Sequence, residues 1–114
     1  MKTISNVLLI DAATSATVSS YVANNNCDVL GIQVTGTFTS ATVFVQGMVN
    51  IDANTWVNLA ALDLTEFDME NAGITAAGLY EVGIEGVLRV RINVTAVSGG
   101  NISVYGKFAS SASD

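Results

Sequence analysis

Apolar and polar positions alternate with a period of two along most of this chain, most cleanly over residues 78–95. Tyr80, Val82 and Ile84 fall on one side, with Glu81 and Glu85 on the other. Beyond Gly86, the residues Leu88, Val90, Ile92 and Val94 share a side opposite Arg89, Arg91, Asn93 and Thr95. Successive strand residues point to opposite faces, so the pattern predicts two β-strands, each with one buried and one wet face. Read as a hairpin turning at Gly86, it sets Arg89 and Arg91 opposite Glu81 and Glu85, where cross-strand charge pairing explains them. The other reading of the arginines is an interface, where arginine is enriched.

The same pattern predicts strands over residues 4–10, 17–23, 29–38, 41–49, 56–62 and 102–108. Between them lie turns rich in Asn, Gly, Asp and Ser, including 24–26 and 98–101. Residues 63–70 fit either a short helix or an irregular strand, 71–77 a loop, and 109–114 a mobile polar tail. Strand 41–49 carries bulky apolar groups on both faces, Val43, Val45 and Val49 against Phe44 and Met48. It is expected to be covered on both sides, by its own core and by a loop or a neighbouring subunit. Eight or nine short strands with regular turn signals predict an all-β, antiparallel β-sandwich in one domain over residues 1–114. A jelly-roll-like arrangement is favoured over an immunoglobulin-like one.

Composition narrows the function more than the fold. Half of the 114 residues are apolar and 12% are charged, which argues for a packed core rather than disorder. The net charge of −6 disfavours nucleic-acid binding. The aliphatic run Val7-Leu8-Leu9-Ile10 is too short to cross a membrane, and Asp11 ends it, so a secretory signal fits poorly. Nothing in the sequence is therefore expected to direct secretion. The sequence has no histidine, which excludes a Ser-His-Asp triad, a His-bearing metal site and imidazole acid–base chemistry. It has no proline, so its turns depend on other residues. The lone Cys27 excludes an intrachain disulfide and reads as a small buried residue.

Several motifs that suggest chemistry have plainer explanations. Asn50, Asp52 and Asn54 open like a calcium loop, but an EF-hand needs Gly and Glu where Thr55 and Ala61 stand. Hairpin-turn chemistry explains the same letters. The acidic cluster Asp63, Glu66, Asp68 and Glu70 could supply paired carboxylates for glycoside hydrolysis, yet Phe67 is its only aromatic neighbour, and a solvated loop is the better reading. Trp56 could stack on a sugar, but a tryptophan at a strand start is expected in the core. Asn93-Val94-Thr95 and Asn101-Ile102-Ser103 match the glycosylation acceptor pattern and read as coincidence without a secretory signal. No catalytic, metal or cofactor site is assigned, and an enzyme is not expected.

Taken in order, Val34-Thr35-Gly36-Thr37-Phe38, Ala41-Thr42-Val43-Phe44-Val45-Gln46-Gly47 and Asn54-Thr55-Trp56-Val57-Asn58-Leu59 resemble segments of small tailed-bacteriophage virion proteins. Ala77-Gly78-Leu79-Tyr80-Glu81-Val82, Val87-Leu88-Arg89-Val90-Arg91 and Ser98-Gly99-Gly100-Asn101-Ile102-Ser103-Val104 continue the likeness. It departs from the usual Asp-Gly turn before the Trp, having Ala53-Asn54. The resemblance implies a β-sandwich module of a head decoration, cement, head-fibre or tail accessory protein, without catalytic residues or cofactors. Such a protein would stabilise a capsid by contacts with the major capsid protein or another virion protein, commonly as a homo-oligomer such as a trimer. Neither nucleic acid nor membrane is an expected partner. The residues expected to make contacts are Phe44, Met48, Arg89, Arg91 and Tyr105. The alternative is a carbohydrate-binding or host-attachment module of a tail or fibre.

Overall fold

The computed structural model describes residues 5–24, 27–49, 55–70 and 72–110, with side chains from Leu9 onward. The described residues form eleven strands and no helix. The first sheet runs, edge to edge, β1 (Ser5–Ala13), β11 (Asn101–Ala109), β4 (Val29–Thr37), β9 (Gly78–Gly83), β7 (Ala61–Asp63) and β8 (Met69–Glu70). The second runs β2 (Thr17–Val18), β10 (Arg89–Ser98), β5 (Ser40–Met48) and β6 (Val57–Leu59), and β3 (Val22–Ala23) also pairs with β10. All these pairings are antiparallel.

Alternation decides which side chains meet between the sheets. Leu30, Ile32 and Val34 of β4, Tyr80 and Val82 of β9, and Ile102, Val104 and Phe108 of β11 are buried on the first sheet. They share one core cluster with Ala41, Val43 and Val45 of β5 and Val90, Ile92 and Val94 of β10. Each such aliphatic side chain contributes about 1.5–3 kcal/mol by leaving water. The all-β sandwich expected from the sequence is therefore observed. The chain changes sheet at most connections, including β1 to β2, β4 to β5, β9 to β10 and β10 to β11.

Strand count exceeds the expected eight or nine for three reasons. Residues 17–23 divide into β2 and β3, and residues 56–62 divide at Ala60, where the chain leaves the second sheet for the first. Residues 63–70 are neither helix nor one irregular strand: 64–68 are the turn joining β7 to β8, and β8 at Met69–Glu70 is the third added strand. Asp63 N–H donates to Asp68 O at 2.8 Å and Phe67 N–H to Asp63 O at 2.7 Å, with Phe67 at φ 60°. Ala109 ends β11 and Ser110 is buried, so those two positions do not belong to a mobile tail; 111–114 lie outside the described residues.

The larger correction concerns residues 78–95. They do not form a hairpin: β9 lies in the first sheet and β10 in the second. A turn at Glu85-Gly86, closed by Val87 N–H to Ile84 O at 2.9 Å, carries the chain between them. The buried sides of both strands then face each other across the core, and Glu81 and Glu85 do not lie opposite the arginines. Another crossing uses Gly99 and Gly100, at φ 73° and 148°, beside the β4–β5 connection. There Thr39 N–H donates to Ser98 O at 2.9 Å, and a Cβ on Gly100 would collide with the Thr37 carbonyl.

Candidate interaction face

With Val90, Ile92 and Val94 in the core, strand periodicity sends Arg89, Arg91 and Asn93 to the outer face of the second sheet. Register sets Arg89 opposite Met48, Arg91 opposite Gln46 and Asn93 opposite Phe44, while Gln46 lies opposite Asn58 of β6. A short polar chain runs across these three strands. Arg91 Nε donates to Gln46 Oε1 at 2.9 Å, and Gln46 Nε2 donates to Asn58 Oδ1 at 2.8 Å.

Aromatic rings from the sheet's edges complete the arrangement. Trp56, just before β6, lies under Arg91 with Cζ 4.4 Å from the ring centroid. Tyr21, just before β3, lies under Arg89 at 4.2 Å. Ring quadrupoles attract the guanidinium charge, by about 0.5–1 kcal/mol at exposed sites. Stacking also restrains two side chains that would otherwise sample many rotamers. The arginines are thus half-buried and held by rings and an amide, not by the carboxylates of β9. Trp56 is not a core residue as expected: it is half-buried on the outer surface, because its position immediately before β6 faces β10 rather than the first sheet.

Of the residues expected to make contacts, Phe44, Arg89 and Arg91 share this face. Phe44 is half-buried against the segment that bridges β5 through Ile74, since a Cβ on Gly73 would come within 3.2 Å of its ring. Met48 belongs to the same strand but is only 5% exposed and lies outside the main core cluster. Gln46 beside it is also buried, so the two-faced strand is covered here by the chain's own side chains. Tyr105 stands apart, 44% exposed on the outer face of the first sheet, opposite Gln33. Sequence reasoning missed Tyr21, Gln46 and Asn58 as members of the face. Gln46 carried a usable signal, a large amide amid apolar neighbours, which if buried needs partners.

The other candidates resolve into structure. The Asp63 carboxylate accepts from Thr65 N–H at 2.8 Å and Glu66 N–H at 3.4 Å, holding the β7–β8 turn. Burial, and then the charges of Asp63, Glu70 and Glu66, push the Tyr80 phenol above its ordinary pKa; its hydroxyl donates to Ala76 O at 2.7 Å. Cys27 is buried, as expected. Among the described residues no group of three or more potential metal ligands gathers, and Asn50, Asp52 and Asn54 lie outside them.

The sequence model of the XepA family matches residues 3–108. The chain belongs to the XepA family. No curated protein matches significantly. Among solved structures, the fold is similar to the SPBc2 prophage-derived protein YomS, with a TM-score of 0.81 and 20% identity over 93% of this chain and 92% of that one. It is also similar to the PBSX exported protein XepA, with a TM-score of 0.82 and 16% identity. That match covers 93% of this chain but 37% of the XepA chain, so the sequence spans well under half the length of that relative. At these identities the two structures show a shared fold.

Proposed function

We propose that this XepA-family chain is a non-catalytic structural phage protein that binds another phage component through the outer face of its second sheet. The observation that carries the reading is the pair of guanidiniums held over Tyr21 and Trp56. Two arginines fixed by aromatic rings, beside the half-buried Phe44, have the composition of an interface centre. The absence of histidine from the sequence favours binding over catalysis. In its finer form the proposal is decoration of a capsid: many copies bound to an assembled shell stabilise it by mass action, with avidity from the repeated lattice. A homo-oligomer and a virion location belong to the same proposal. The relative XepA is an exported protein, and export provides the contrasting outcome.

The test is co-sedimentation of the purified chain with particles of the phage that carries it. Wild type is expected in the particle fraction. Arg89→Glu with Arg91→Glu is expected to lower association by about a hundredfold, the scale of two contacts worth about 1.4 kcal/mol each, with an unchanged circular dichroism spectrum. Full association by that variant would remove the face from the proposal. Recovery of the native protein only from the culture fluid, never from particles, would remove the virion location.

Trp56 on the surface keeps the carbohydrate reading testable. One face of its ring is already occupied by Arg91, so a sugar would have to stack on the other. Strong acrylamide quenching of Trp56 that a glycan relieves would favour that reading.

A further inference from the structure

Arg89 and Arg91 hold two of the four Lys and Arg residues of a chain whose net charge is −6. Arg91 uses Nε on Gln46, and its remaining donors have no acceptor among the described residues. Arg89 has its stack on Tyr21 and no hydrogen bond or ion pair there. A guanidinium carries five N–H donors in a rigid fork that fits a carboxylate or phosphate through two parallel bonds. Both forks are therefore prepositioned, incompletely satisfied and on one face. Being two residues apart on β10, they are separated by about 7 Å along the strand.

We propose that this face takes an extended acidic segment of a protein partner, with carboxylates on alternate residues seated on Arg89 and Arg91. The proposal rests on the partner-binding reading of the same face and names the partner's chemistry. An extended peptide has the same rise per residue as β10, so its alternate side chains repeat at the spacing of the two arginines without strain in either chain. Neighbouring carboxylates on such a segment would point to opposite sides and could not both be met. Nucleic acid is a poorer occupant, because two cations on an acidic chain neutralise too few phosphates to hold a backbone. Phe44 and the exposed edge of Tyr21 flank the pair and offer apolar contact to side chains between or beyond the carboxylates.

The experiment is fluorescence anisotropy with the full chain and a short labelled peptide that alternates glutamate and valine. A peptide with the same glutamates in one block and a glutamine version serve as controls. The alternating peptide is expected to bind, to weaken as salt rises, and to lose about tenfold in affinity with Arg89→Gln or Arg91→Gln and all detectable binding with both. Unfolding midpoints close to wild type would show that these variants fold. The proposal is overturned if wild type ignores the alternating peptide, if the glutamine or block peptide binds equally, or if the double variant binds unchanged. Displacement of the peptide by inorganic polyphosphate at far lower concentration would assign the face to a phosphate polymer, and also overturns it. If the peptide fails while the arginine variants still lose particle association, the acidic-segment proposal falls and the interaction face stands.

Discussion

The two outer faces of the sandwich come from the same period-two pattern and differ in what covers them. On the first sheet Gln33, Leu79, Glu81 and Tyr105 stand exposed, each explained by its own strand. On the second, Gln46 and Met48 are buried, and the two arginines lie half-buried over rings that arrive from the edges. The difference lies in the strand ends. Tyr21 and Trp56 flank very short strands, β3 and β6, and their rings reach the arginines of β10. An ordinary outer surface thereby becomes an ordered one. Ordering before binding lowers the entropic cost of contact, which is why we propose this face, rather than the one bearing Tyr105, as the interface.

The contrast can be broken most severely at Asn24, which fastens the segment after β3 to the β9–β10 crossing. Its Nδ2 donates to the carbonyls of Cys27, Ile84 and Val87 at 2.9, 3.1 and 2.9 Å, and its Oδ1 accepts from Cys27 N–H at 3.0 Å. Asn24→Ala leaves these backbone groups short of partners, and we expect a loss of about 3 kcal/mol in urea unfolding. Because the same segment leads to Tyr21, the tyrosine's contact with Arg89 should loosen as well, seen as broadened Arg89 side-chain resonances.

A paired substitution compares like with like. Gln46→Ala removes the amide that joins Arg91 to Asn58 and should cost about 1–2 kcal/mol. Gln33→Ala, at an exposed position of the first sheet, should stay within about 0.5 kcal/mol. Equal costs would show that the second face is no more ordered than the first.

Tyr80→Phe removes the hydrogen bond to Ala76 on the first sheet, at about 1 kcal/mol near neutral pH. Its pH dependence has a definite sign. The phenol ionises at a higher pH in the folded protein than in the unfolded chain, so unfolding in strong base releases a proton. Stability from this group is complete below about pH 10 and is lost as pH rises through the raised folded value. Wild type should therefore lose stability more steeply than Tyr80→Phe above about pH 10. A modest effect is expected from Trp56→Leu, about 0.5–1 kcal/mol in stability, with a larger fractional loss in particle association.

Much of the fold was legible in the chain. Alternation identified the buried faces of β9 and β10, and the Gly99-Gly100 turn was visible from its letters. The site was legible only in part: Arg89, Arg91 and Phe44 were named, whereas their partners Tyr21, Gln46 and Asn58 were not. Arg91 and Gln46 are 45 residues apart, and no local pattern links them.

The sequence by itself determined which side of each strand is buried, because burial of alternate side chains is a property of one strand and its solvent. Only the tertiary structure decided which strand lies beside which. The same alternation fits a strand hydrogen-bonded beside another in one sheet or packed across the core from it, and β9 and β10 took the second course. That choice moved Glu81 and Glu85 away from the arginines and left Arg89 and Arg91 to the rings of Tyr21 and Trp56.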